Sequence, residues 1–215
     1  MEKFVPKFQG APWPDGARVL HVYAVPDLGT DLDLARLVDE CRAAMRPHPI
    51  TPMDDGTLHC TLDMIADTTS DRITAEERAD LVAALRDHLA GTRPFEVTAG
   101  SPIASRAGAF LDLSPDHALF DLRERVRDAI RRTRGPGALL HDGGRPHISL
   151  GYAWSDASSD ALQSVFRRIS PSHVPLRIRD VHLLDVRFQQ HPRPGDETAW
   201  QLSWSPVAII PLAHG

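Results

Sequence analysis

The chain predicts an α+β fold of two pseudo-symmetric lobes, each a mostly antiparallel sheet backed by helices, with a central cleft. Three observations carry this expectation. Strand-like and helix-like stretches occur twice in the same order: strand, helix, histidine strand, helix, strand. Each copy holds one His-x-Thr/Ser-Leu strand, His59-Cys-Thr61-Leu and His147-Ile-Ser149-Leu. The first strand of each copy precedes its histidine by about forty residues, from Val19 in one and Gly108 in the other. Identity between the copies is slight, so the repeat is one of architecture. A single bilobal domain over 1–215 is expected, with repeat halves at about 18–100 and 108–190.

Residues 1–17 hold three prolines and scattered aromatics and read as an irregular lead-in. Val19 to Val25 reads as a strand stopped by Pro26. From Asp31 to Arg46, apolar residues at Leu32, Leu34, Leu37, Val38, Cys41 and Met45 have helical spacing, and Pro47, Pro49 and Pro52 end the run. The first histidine strand follows, Thr57 to about Ala66. Thr74-Ala-Glu-Glu77 is a capping box opening a helix to about Ala90, closed by Gly91. Phe95–Ala99 and Gly108–Leu113 read as strands around a Gly-Ser-Pro turn region.

Ser114-Pro-Asp116 starts another helix, whose stripe Leu119, Leu122, Val126 and Ile130 reaches about Arg134. Arg123, Arg125, Arg127, Arg131, Arg132 and Arg134 lie along it, either as a solvated face or as a phosphate-attracting rim. A loop over 135–144, holding His141, leads into the second histidine strand. A short helix from Asp160 to Ile169 comes next. The tail offers two long strands, about Leu176–Gln190 and Thr198–Leu212.

Composition narrows the function classes. At 42 % hydrophobic and 25 % charged, the chain matches ordinary globular domains. A net charge of −5 argues against a long nucleic-acid footprint, which usually leaves a basic surface. The charge is uneven: residues 1–107 carry 11 basic and 17 acidic side chains, residues 108–215 carry 13 and 12. A locally basic cleft for a small phosphorylated ligand is compatible with that distribution. Cys41 and Cys60 make neither a disulfide framework nor a metal set. No stretch approaches the roughly 18 apolar residues of a membrane-spanning helix, and the first residues lack a signal-peptide core. A cytoplasmic monomer is expected, without membrane association.

The two histidine strands hold the chemistry. In an extended strand residues i and i+2 share a face, roughly 6.5–7 Å apart. His59 and Thr61 therefore look one way, with Leu58, Cys60, Leu62 and Met64 behind them. His147 and Ser149 do the same, with Ile148 and Leu150 behind. Asp63 falls on the His59 face by this alternation, so a metal site of two histidines and a carboxylate is a minor alternative. Either triplet alone carries little weight, because a short motif recurs by chance. Facing one another across a cleft, two such pairs suit acid–base work on a phosphodiester. One neutral imidazole accepts a proton and the other donates one, while Thr61 and Ser149 hold the phosphate oxygens. No cofactor or metal is called for. There is no His-Glu-x-x-His, Cys-x-x-Cys, Gly-x-Ser-x-Gly, Walker or Gly-x-Gly-x-x-Gly pattern.

Paired His-x-Thr/Ser-Leu strands about ninety residues apart in a duplicated α+β chain resemble the 2H phosphoesterase superfamily. Within it, the likeness is to the 2′-5′ RNA ligase and RNA 2′,3′-cyclic phosphodiesterase group, over most of the chain from about Val19. The resemblance implies catalytic roles for His59 and His147 and phosphate-binding roles for Thr61 and Ser149. It also implies a substrate-side place for Tyr23, where a core or rim position is the alternative. The second motif departs from the group's frequent His-x-Thr-Leu-Ala-Arg: here it reads His147-Ile-Ser149-Leu-Gly-Tyr152, so Tyr152 stands at the arginine position. The implied activity is a metal-independent phosphodiesterase on 2′,3′-cyclic phosphate or 2′-5′-linked ends, with ligation as the reverse reaction. The substrate stays open among an RNA terminus, a small cyclic nucleotide and an ADP-ribose cyclic phosphate. A non-catalytic nucleotide-binding module using the same cleft is the alternative.

Overall fold

The computed structural model describes residues 1–140 and 143–213. In chain order the elements are β1 (Lys7–Phe8), β2 (Ala11–Pro12), β3 (Arg18–Ala24), α1 (Leu32–Met45), β4 (Ile50–Pro52), β5 (Cys60–Met64), α2 (Ala75–Leu89), β6 (Phe95–Ser105), β7 (Gly108–Ser114), α3 (His117–Arg134), β8 (His147–Ala153), α4 (Asp160–Phe166), β9 (His173–Ile178), β10 (Asp180–Pro192) and β11 (Thr198–Pro211). Single helical turns lie at Asp55–Thr57, Ser70–Arg72, Pro136–Ala138 and Pro194–Asp196.

Every strand pairing is antiparallel, and the main sheet runs β11-β10-β3-β5-β8-β7-β6-β9, with β4 added to β8. The expected α+β fold, antiparallel sheet backed by helices, is what forms. The midpoint is the junction of β5 and β8, where one Cα pair, Cys60 opposite Ile148, joins the two lobes. On one lobe α2 and α3 pack together, with α3 behind β5; on the other α1 packs against α4 and β9, and α4 against β6.

Local chemistry explains the helices. The Thr74 hydroxyl accepts from the Glu77 N–H at 3.2 Å while the Glu77 carboxylate accepts from the Thr74 N–H at 2.7 Å, satisfying two donors that the first turn of α2 leaves open. Leu34, Leu37, Val38, Cys41 and Met45 form the buried stripe of α1, and Leu119, Leu122, Val126, Ala129 and Ile130 that of α3.

Most arginines of the α3 row are ion-paired. Arg127 and Arg123 both reach Asp63, at 2.7 and 3.8 Å, and Arg134 grips Asp67 and Glu77. Arg132 pairs with Asp87, and Arg131 with Asp128. Asp63 is fully buried. A buried carboxylate costs several kcal/mol unless matched, so Arg127 and Arg123 tie the helix to the sheet through Asp63.

Three local expectations need correction. The Gly-Ser-Pro stretch is not a turn: β6 passes through it with a register irregularity between Ala99 and Pro102, and the chain reverses at Arg106–Ala107 instead. The first tail strand is two strands, because β9 pairs with β6 and β10 with β3, at opposite ends of the sheet path. Residues 1–17 are not wholly irregular, since β1 and β2 form a short hairpin. Among the described residues no helix is long and apolar enough to cross a membrane.

Candidate active site

Residues two apart on β3 share a face, and Tyr23 with His21 lies on the side of the sheet that bears His59. The Tyr23 hydroxyl and His21 Nδ1 form a 2.5 Å hydrogen bond. Burial holds the Tyr23 phenol protonated, well above its usual range, so the hydroxyl is the donor. The histidine strands lie beside β3. Because Cys60 opposes Ile148, the same register sets His59 across from Ser149 and Thr61 across from His147, all four on one face. The two motifs are thus hydrogen-bonded neighbours in one sheet, not separate walls facing each other over a gap. Each histidine has the other motif's hydroxyl residue as its cross-strand neighbour.

Both imidazoles are anchored alike. His59 Nδ1 lies 2.7 Å from the Thr57 carbonyl oxygen, and His147 Nδ1 lies 2.8 Å from the Arg145 carbonyl oxygen. A carbonyl only accepts, so Nδ1 carries the proton in each ring and Nε2 is left for the cleft. The local chain supplies this geometry, since each histidine follows a non-ladder residue whose predecessor turns its carbonyl back.

The rings differ in setting. His59 is 4 % exposed, stacked on Tyr23 with centroids 4.0 Å apart and 18° between planes, and meets the edge of Trp204 at 5.5 Å. Desolvation is the main cause that lowers its pKa to about 4; the Thr57 carbonyl opposes this, and the nearby His147 adds to it. His147 is only half-buried, with Phe110 tilted against it at 5.1 Å.

His59, Thr61, His147, Ser149 and Tyr152 line one cavity of about 290 Å³, together with Phe4, Phe110 and small residues of the β6–β7 hairpin and β8. Two glycines let three backbones close on it. A Cβ on Gly108, whose φ is +146°, would stand 2.0 Å from the Gly151 carbonyl oxygen, and one on Gly151 would stand 2.7 Å from the Thr51 carbonyl oxygen.

Of the residues expected at the site, four motif residues and Tyr152 meet at this cavity. Tyr23 does not line it, but forms the support under His59. Tyr152 lies face to face with Phe4 at 3.9 Å, and burial raises its phenol pKa while the Ser149 side chain, as hydrogen-bond partner, pulls it back. Asp63 is excluded. Tyr23 pairs with Thr61 but Val22 with Asp63, so Leu62 is an extra residue and the alternation flips there. Asp63 consequently joins Val22 on the helix side, where Arg127 holds it, and Met64 joins His21 on the other. The minor two-histidine-plus-Asp63 metal reading fails on this bulge. Among the described residues no cluster of three or more His, Cys, Asp or Glu could hold a metal ion. Cys60, pointing away from the cavity, is a buried thiol pushed up to about 12 by desolvation, so it stays protonated. His141 lies outside the described residues.

Among the described residues lining the cavity there is no lysine or arginine. Phe4, Phe110, His21 and Trp204 were not anticipated. His21 was in reach, because Val19, His21 and Tyr23 alternate onto one face. Phe4 and Trp204 come from the two ends of the chain and carry no local signal.

A family model described as "2′-5′ RNA ligase superfamily" matches residues 30–187. No curated protein matches the sequence. Solved structures share the fold. TT0787 of Thermus thermophilus superposes with a TM-score of 0.62 at 15 % identity, covering 90 % of this chain and 97 % of that one. E. coli LigT in apo form gives 0.59 at 15 % identity, covering 92 % and 99 %. LigT complexed with 3′-AMP gives 0.57 at 17 % identity with the same coverage. The family match spans most of the 215 residues and includes both histidine strands, in agreement with the 2H phosphoesterase likeness of the two motifs; the chain belongs to the 2′-5′ RNA ligase superfamily.

Proposed function

We propose that this chain is a metal-independent phosphodiesterase that opens 2′,3′-cyclic phosphate on RNA ends or nucleotides by two-histidine acid–base catalysis. With a 5′-hydroxyl in place of water as nucleophile and the 3′-oxygen as leaving group, the same ring opening makes a 2′-5′ linkage. One observation carries the reading: His59, directly before β5, and His147, the first residue of β8, are each pinned through Nδ1 to the i−2 carbonyl, and both line a cavity shared with Thr61 and Ser149. Diagonal neighbours on an antiparallel pair stand about 7–8 Å apart at the backbone, a separation that leaves room for a phosphate between the two rings.

In this mechanism His59 is the base. Its buried ring is neutral at neutral pH, and Nε2 offers the lone pair that takes a proton from water or a ribose hydroxyl. His147 gives its proton to the departing ribose oxygen. The Thr61 and Ser149 hydroxyls donate to the non-bridging oxygens as charge builds there. LigT, similar in fold, has been crystallised with 3′-AMP and with phosphate, ligands of the kind this chemistry would leave or hold.

A panel of 2′,3′-cyclic nucleotides and short RNAs with cyclic phosphate ends, incubated with EDTA, tests the proposal. Ring opening in the presence of chelator is the expected result. Binding of these ligands with no turnover would favour a recognition module in its place.

A further inference from the structure

A second cavity, of about 540 Å³, adjoins the catalytic one across the N-terminal segment. Residues 3–5 form the partition: Lys3 and Val5 line this cavity, while Phe4 between them lines the catalytic one. The Phe4 N–H donates to the Ala153 carbonyl at 2.8 Å and the Met1 amino group to the Ala157 carbonyl at 2.5 Å, which fixes the partition. Phe188 also lines the second cavity, and its ring lies 6.0 Å from Phe4 and 6.3 Å from Tyr152. A single layer of rings separates the two spaces. Of the described residues lining the second cavity, only Arg187 falls within the 30–187 stretch that the family model matches.

Its lining has the chemistry of a nucleotide site. Trp13, Phe188 and Trp200 supply aromatic walls, with Trp13 edge-on to Phe188 at 5.0 Å and its indole N–H held on the Ala17 carbonyl. Gln189, Gln190 and Asp15 add amide donors and acceptors and a carboxylate, groups that can read the edge of an unpaired base. Arg187 brings a cation. It has no ion pair or hydrogen bond among the described residues, and its Nε is buried without a partner. A buried guanidinium N–H is costly to leave unmade, and a phosphate oxygen is an acceptor of the kind it lacks. Lys3 adds a second ammonium at the same cavity, 2.8 Å from the Glu197 carboxylate.

A cyclic phosphate at the end of an RNA chain has a neighbouring nucleotide, joined through the 5′-phosphate of the terminal one. We propose that the second cavity receives that neighbour: the penultimate base lodges among Trp13, Phe188 and Trp200, and Arg187 meets the linking phosphate. This rests on the phosphodiesterase reading above and adds a subsite outside the family-matched stretch. It also narrows the substrate class to RNA ends of two or more nucleotides, in preference to free cyclic mononucleotides. Contact with one extra nucleotide needs no extended basic surface, in keeping with the net charge of −5.

The test compares two substrates, 2′,3′-cyclic AMP and the dinucleotide ApA ending in a 2′,3′-cyclic phosphate. The dinucleotide should have the higher kcat/KM, by about tenfold or more, because a base held against aromatic rings adds binding remote from the reacting bonds. Equal values would overturn the subsite. Arg187→Met should lower the dinucleotide-to-mononucleotide ratio about tenfold, and Gln190→Ala, at an exposed position, about threefold. Circular dichroism checks that both variants fold, and a ratio unchanged in both would overturn the proposal. If neither substrate is turned over, the phosphodiesterase reading falls, and calorimetric titration with the same two compounds measures the subsite instead. Tighter binding of the dinucleotide, lost in Arg187→Met, is then the supporting result, and equal affinities are the overturning one.

Discussion

Tyr23 lies parallel to His59, ring on ring, with centroids 4.0 Å apart. It comes from the strand next to the first histidine motif, and its hydroxyl is tied to His21. This cover, together with Trp204 at the ring edge, keeps water from His59 and lowers its pKa to about 4. The candidate base is therefore neutral across the physiological range because of its neighbours.

Removing the cover should show this. In Tyr23→Ala water reaches the imidazole face, and the His59 titration midpoint should rise by about one unit or more toward the free value of about 6.5. NMR titration of the His59 ring protons reads the shift. A midpoint that stays near 4 would mean that Tyr23 is not a source of the desolvation.

The same burial makes folding pH-dependent. With a folded pKa below the unfolded one, the unfolded chain binds the extra proton between about pH 6.5 and 4. The His59 contribution is thus complete above that window and is lost as pH falls through it. Between pH 7 and 5 the loss is about 2 kcal/mol for a shift of this size. Urea unfolding of the wild type and His59→Gln at both pH values isolates it, because the glutamine variant should lack that increment. Equal slopes in the two proteins would contradict the assignment.

Asp63 and Arg127 make a separate prediction about stability. Arg127→Met strands a fully buried carboxylate, and the expected loss is about 3–5 kcal/mol in denaturant unfolding. Adding Asp63→Leu should restore most of it. A single mutant as stable as the wild type would show that Arg123 suffices as the partner.

The hydroxyls should act on turnover more than on binding. Thr61→Val and Ser149→Ala each remove one donor to the developing charge, with an expected fall in kcat of about 10²–10³ and a smaller change in KM. A rise in KM alone would assign these hydroxyls to ground-state binding only.

Much of this was legible in the sequence because it is local. The capping box Thr74–Glu77, the apolar stripes of α1 and α3, and the two His-x-Thr/Ser-Leu strands follow from spacing alone. What was not legible depends on one-residue events or on distant chain. The bulge at Leu62 reverses the facing of Asp63, and a period-two reading carries no mark of it. The break at Arg179, between β9 and β10, turns one apparent strand into members of opposite lobes. The arginines of α3 look free in sequence because their partners, Asp63, Asp67 and Asp87, lie 45 to 67 residues away. Phe4 reaches Tyr152 only through tertiary packing.

In the proposed mechanism His59 and His147 both exchange protons with a phosphodiester, and neither suffices alone. The most direct measurement is kcat on a 2′,3′-cyclic nucleotide, in EDTA, for His59→Ala, His147→Ala and the double variant, each checked for folding by circular dichroism. Each single substitution should cost about 10²–10⁴-fold, and the double variant should lose less than the product of the two, since the pair acts as a unit. Full turnover in either single variant would contradict it.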